Sequence, residues 1–185
     1  MKKKIVWLIA LAAVWAFAVL YHARNVGATA AAGFVGTTIA TGTFDDIDVF
    51  NHFAPPRTDD DERGRPGEHE WRKVWLSWQK TKGPSDLFVQ QNVWAKHGST
   101  GWHTHPGHSL IIVTEGTVTT YEGHDEECKP TVHPKGSTFV DPGGDHVHII
   151  RNETELEAQT IAVQLIPAGQ PRRIDVEDPG NCHFQ

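Results

Sequence analysis

His103 and His105 flank Thr104 and are followed by Pro106-Gly107. They lie between Gly98-Ser99-Thr100-Gly101-Trp102 and the apolar run Leu110-Ile111-Ile112-Val113. In a strand, alternate side chains share a face, so His103 and His105 project together. Paired imidazoles on one rigid strand are suited to chelation, because imidazole is the commonest protein ligand for divalent transition metals. A second group, Asp145-His146-Val147-His148, leads into another apolar stretch and offers a third ligand from a second strand.

These segments resemble the two motifs of the cupin family. Gly98 to Gly116 is similar to the first motif: a glycine, His-x-His and a closing glycine. Gly136 to Asn152 is similar to the second, with Gly136, Pro142, Gly144 and Asn152 at the motif's spacing. The resemblance covers the region from Phe34 to Pro179 loosely and the two motifs closely. It implies an all-β fold, the double-stranded β-helix or jelly-roll barrel, with both histidine strands facing one interior. It also implies a divalent ion, zinc, iron or manganese, held by His103, His105 and His148. His148 is preferred over His146 because it stands four residues before Asn152.

One departure matters chemically. The first motif ordinarily supplies a glutamate, and counting back from Gly116 puts Ser109 there. The expected set is therefore three neutral histidines with no carboxylate and a vacant position at Ser109. Such a set leaves the ion's double charge uncompensated, acidifies a bound water strongly and attracts anions. His146 shares a face with His148 and is a candidate fourth ligand, hydrogen-bond donor to a ligand or general base, as well as a simple lining residue. His108 should turn away from the metal by strand alternation. His97, His124, His133 and His183 fall in loops or near termini, where solvation is the default. Gln164 is a candidate polar contact in the cavity.

The elements that must position these residues are mostly short β runs with Gly and Pro punctuation, which indicates an antiparallel barrel or sandwich. The runs are 34–44, 87–94, 109–113, 117–121, 137–140, 146–150 and 159–166. Trp71, Trp75 and Trp78 have helical spacing, whereas Val74, Leu76 and Trp78 have strand spacing. The turn at Lys82-Gly83-Pro84 favours a strand. These aromatics read as core or oligomer interface, so a homodimer is an expectation. Asn51 to Glu70 is dense in Pro, Gly and charge and reads as a solvated loop.

The N-terminus carries a different signal. Met1-Lys2-Lys3-Lys4 precedes an uncharged apolar run from Ile5 to Leu20, and small residues near Ala28 and Ala30 suit signal-peptidase cleavage. A run of this length rises only about 24 Å as a helix, short of the roughly 30 Å hydrocarbon core. Residues 1–28 thus read as a signal peptide or an uncleaved membrane anchor, with cleavage favoured. Residues 34–70 form an N-terminal strand and polar loop, 71–179 the barrel, and 180–185 a C-terminal tail. Either reading of the leader exports the domain, to the periplasm or as a secreted protein, and confines membrane contact to the N-terminal segment if it is uncleaved.

The formal net charge is −6, and without Lys2, Lys3, Lys4 and Arg24 it becomes −10. An acidic domain without a basic cluster is unsuited to nucleic acid or anionic membrane surfaces, which leaves a small-molecule ligand. Cys128 and Cys182 are the only cysteines. In an exported chain they suit a disulfide that fastens the tail to the barrel. Two function classes remain: a metal-dependent enzyme such as a dioxygenase or isomerase, and a non-catalytic or metal-free ligand-binding barrel of the cell envelope.

Overall fold

A computed structural model describes residues 28–54 and 74–184. All but the last residue of the expected leader at 1–28, and most of the charged loop before Trp75, lie outside the described residues, as does Trp71. Among the described residues no helix is long and apolar enough to cross a membrane.

The described chain is all β, as the run pattern implies. Its strands are β1 (Ala32–Phe44), β2 (Asp48–Phe53), β3 (Trp75–Lys80), β4 (Ser85–Ser99), β5 (His103–Thr104) and β6 (Ser109–Glu115). They continue as β7 (Thr117–Glu122), β8 (Thr131–Pro134), β9 (Thr138–Asp141), β10 (His148–Arg151), β11 (Ala158–Pro167) and β12 (Ile174–Asp175). Ten of them form one antiparallel sheet running β12-β5-β10-β4-β11-β6-β9, with β1 on β4 and β7-β8 on β10. The sheet wraps into a barrel. β2 and β3 pair only with each other, as a separate two-stranded ribbon.

Strand alternation builds the interior. In β6, Ser109, Ile111 and Val113 are buried while Leu110 and Ile112 face out. In β11, Ala158, Thr160, Ala162 and Gln164 are buried. Directly paired residues of an antiparallel ladder share a face, so register lines up rungs across strands. Gln164 pairs with Ser109, and Ser109 with Asp141. His148 pairs with His103. Two polar rungs are thus set above an apolar floor of Trp94, Val113, Val118, Ile150 and Ala158, with Gln90, Thr100 and Thr160 also buried in the wall.

The motif glycines and asparagine have mechanical reasons. Gly116 turns β6 into β7 at φ +65°, and a Cβ there would lie 2.4 Å from the Glu157 carbonyl oxygen. Gly101, at φ +70°, lets residues 28–31 pass beside the first motif, where a Cβ would lie 2.3 Å from the Thr29 carbonyl oxygen. Asn152 is fully buried. Its amide donates to the carbonyls of Ala95 (3.0 Å) and Leu156 (2.6 Å), and its oxygen accepts from Thr154 N–H (3.0 Å). Asn152 therefore knits the turn after β10 to β4 and fixes the register of His148.

Two expectations about aromatic and histidine burial change. Trp75 and Trp78 do form a strand, but they project from the ribbon surface, 56% and 69% exposed, and belong to no core. Among the described residues nothing covers them, which leaves the oligomer-interface reading of these aromatics open. His133 is not solvated. It lies buried in β8, stacked on Phe139 (centroids 4.1 Å apart) and in hydrogen-bond contact with Thr120 Oγ1 at 3.1 Å. Its neighbours in sequence are polar, but alternation in β8 turns it inward.

Cys128 and Cys182 are joined as a disulfide, with Cα atoms 5.3 Å apart. Cys182 packs with Trp102 and Ile149 on the outer side of β10, and Tyr121, Val176 and Phe184 complete that cluster. The tail thereby covers apolar side chains that the barrel wall would otherwise expose. A cross-link closing 54 residues should contribute about 4 kcal/mol in the chain-entropy account. The double variant Cys128→Ser/Cys182→Ser should lose about that much stability in urea titration, and unfolded, unreduced wild-type protein should give no thiol labelling. Two labelled thiols per chain would contradict the assignment.

Candidate metal centre

β5 and β10 place His103 and His148 side by side, with ring centroids 4.3 Å apart. His105 follows β5, 4.9 Å from His103 and 5.6 Å from His148. One nitrogen from each of the three lies within 4.8 Å of the others, so the group could hold a metal ion. The outward nitrogens are already used. His103 Nδ1 contacts the Gly101 carbonyl at 2.9 Å, and His105 Nδ1 contacts the Arg172 carbonyl at 2.5 Å. Donation to those carbonyls leaves each Nε2 lone pair free to point inward, which is how ligating histidines are usually oriented. Both ring nitrogens of His148 are buried without a hydrogen-bond partner. Buried polar atoms are seldom left so, and a cation is the partner this donor set fits.

Burial keeps these rings neutral and therefore able to ligate. His103 is held well below the usual histidine range, first by burial and then by His148, Arg173 and His105. His105 is lowered by burial, against an opposing pull from Asp141. His148 is lowered to about 4, again by burial first, with Asp141 opposing.

The expected absence of a carboxylate is corrected by Asp141. It ends β9 directly opposite Ser109 and is buried. Its Oδ2 lies 3.2 Å from His105 Nε2, and its Oδ1 lies 3.8 Å from His148 Nδ1 and 3.0 Å from the Gly143 N–H that donates to it. Ser109 does face the cavity, as expected, but the acid that the first motif lacks comes from the neighbouring strand. Alternation through Phe139 and Asp141, just before Pro142-Gly143-Gly144, is the signal that could have found it.

The cavity measures about 130 Å³. Its lining joins the three histidines, Ser109 and Asp141 to the apolar Phe34, Trp94, Ile111, Ile150 and Ala162. Gln164 is among the lining residues; its Nε2 donates to the Arg172 carbonyl at 3.1 Å while its Oε1 is unpartnered. Arg172 and Arg173, unmarked by any motif, also line it. Arg173 donates to the Thr100 carbonyl at 2.5 Å and pairs with Asp175. His146 does not line the cavity. It touches Glu122 and turns Nδ1 toward Asp141 Oδ1 at 3.6 Å. His108 points away, into an outer groove with Trp78 and Leu110.

No family model matches the chain, and no curated protein does. Among solved structures it is similar to a cupin 2 conserved barrel domain protein from Leptotrichia buccalis (24% identity, TM-score 0.37, 42% of this chain and 35% of that one). It is also similar to an oxalate oxidase (20%, 0.37, 44% and 46%). A third is the polyketide cyclase RemF from Streptomyces resistomycificus (22%, 0.41, 50% and 64%). The matched part spans less than two thirds of each of these chains. Likenesses of this size say nothing of activity. The cupin-type barrel stands on the chain's own features: an antiparallel sheet wrapped so that a His-x-His segment and a second histidine strand face one interior.

The neutral, buried histidines set a pH response. An unfolded histidine takes up a proton near pH 6.5, whereas folded His148 resists until about pH 4. Between those values the unfolded state binds more protons, so stability falls as pH drops through the window. Metal-stripped protein should lose roughly 3 kcal/mol between pH 7 and pH 4 from His148 alone. Urea midpoints across this range should show the fall, and His148→Gln should reduce it, leaving the part due to His103 and His105.

Proposed function

We propose that this barrel holds a divalent metal ion through His103, His105 and His148, with Asp141 as the accompanying carboxylate, and binds or acts on a small anionic molecule. The carrying observation is the set of three imidazoles, two of them buried, whose ligand nitrogens lie within 4.8 Å of one another, with neither ring nitrogen of His148 hydrogen-bonded. Zinc, iron or manganese there would supply a Lewis-acid centre. The chain's own residues do the rest. Arg172 and Arg173 draw an anion to the cavity and orient it, because guanidinium forks match carboxylate geometry. Gln164 Oε1 is free to accept a hydrogen bond from a ligand hydroxyl. The apolar wall restricts water, and about 130 Å³ of space suits a ligand of benzene-like size. As an enzyme, such a site fits dioxygenase or isomerase chemistry. The Cys128–Cys182 bond supports an oxidising compartment and hence export, to the periplasm or beyond.

The test is metal content. His105→Ala should lose one equivalent of bound ion by native mass spectrometry. Asp141→Asn should weaken that ion's binding about 10–100-fold, and Ser109→Glu in the Asp141→Asn background should restore part of it, since the two positions face each other. A wild-type chain that takes up no ion and melts at the same temperature with and without Zn(II) or Fe(II) would leave the metal-free ligand barrel as the reading.

We also propose a homodimer. Outward positions of an exposed antiparallel face are ordinarily polar, yet Leu110, Ile112 and Val140 occupy them on β6 and β9. Phe50, Phe53, Trp75 and Trp78 add an apolar ribbon on the same chain. Light scattering should show a dimer at micromolar concentration, and Trp78→Asp with Leu110→Asp should shift it to monomer. A monomeric wild type ends this proposal.

A further inference from the structure

Outside the cavity, Glu122, His124 and His146 converge from the end of β7, the turn after it and the segment before β10. Their ligand atoms lie within 4.8 Å of one another. We infer that these three side chains form a second divalent-metal site, separate from the barrel centre and open to solvent through His124.

Four observations carry this. The Glu122 carboxylate abuts His146 Nε2, yet its Oε2 is buried without the alignment of a hydrogen bond to anything. The ion-paired Glu122 carboxylate and His146 Nε2 thus lie side by side within the cluster. His124 is exposed, and its ring centroid is 6.1 Å from that of His146, so a small swing closes the set. Among the described residues its side chain makes no hydrogen bond that would oppose the swing. The backing is also present. With Nε2 committed to an ion, His146 Nδ1–H would face Asp141 Oδ1, now 3.6 Å away, and a carboxylate behind a ligating imidazole is the usual support.

The scaffold is held in place from two sides. Gly123 N–H donates to the Val147 carbonyl at 2.8 Å, joining the two ligand-bearing segments. Asn181 donates to the carbonyls of Glu122 (2.9 Å) and Asp125 (2.7 Å), and the neighbouring Cys182 is bonded to Cys128. The turn that carries Glu122 and His124 is therefore fixed before any ion arrives, which favours binding over ordering cost. Two imidazoles and one carboxylate are a zinc donor set with a fourth position left open, and nickel or copper would compete for it.

The experiment uses the full disulfide-bonded chain, stripped with chelator and titrated with Zn(II), with calorimetry and native mass spectrometry as readouts. The wild type should bind two zinc ions at micromolar or lower Kd. His124→Ala should bind one, and Glu122→Gln should weaken the same ion at least tenfold. His103→Ala should lose the other ion and keep this one. His124 is on the surface, so its loss leaves the fold intact, and an unchanged melting temperature at pH 7 without zinc would verify that. A His124→Ala variant that binds as much zinc as the wild type would overturn the inference. So would a second ion seen only at millimolar zinc. Because different variants report the two ions, failure of the barrel site leaves this result readable.

Discussion

A buried carboxylate must be compensated, and the interior of this barrel is organised around that requirement at Asp141. A lone ionised acid in an apolar wall is far too costly to persist. Here it accepts a backbone N–H from Gly143 and faces His105, His146 and His148. Those rings in turn need donors or acceptors of their own, which the carbonyls of Gly101 and Arg172 provide for His103 and His105. What remains after this accounting is a set of inward lone pairs with one negative charge beside them. The divalent cation proposed above would complete it, and the arginines at the cavity edge would then favour an anion beside it.

The sequence made visible those features that depend on local spacing. His-x-His implies a shared face wherever the segment is extended, and the His103 and His105 rings do lie together, 4.9 Å apart. Asn152 singled out His148 from His146, and the reason is now physical: its side chain ties the end of β10 to β4. Two cysteines outside the strand runs paired as a chain of this kind suggests. The barrel itself was readable from alternation, since β6 and β11 bury every second residue.

The features that were not visible depend on register between distant strands. Asp141 joins the centre only because β9 pairs with β6 so that it meets Ser109. Arg172 and Arg173 reach the cavity from the chain after β11, where nothing in the local pattern marks them. His133 sits in a strand of four residues whose polar composition resembles a loop. The ribbon aromatics Trp75 and Trp78 look like core by type, and their exposure follows from pairing in a sheet of only two strands. β2 escaped detection because it borders a charged stretch that dominates its window.

The ladder also determines when the centre can exist during folding. Its longest pairing joins β4 to β11, where Trp94 meets Ala158 and Ser85 meets Pro167. β1 must find β4 across the whole ribbon and charged loop. Loop closure on that scale is paid before its contacts are gained, so barrels dominated by distant pairs fold slowly. His103 and His105 arrive on one segment, but His148 and Asp141 join them only when β10 and β9 have docked. The cluster is therefore complete only once strands distant in sequence have paired, and before that the His-x-His pair stands alone.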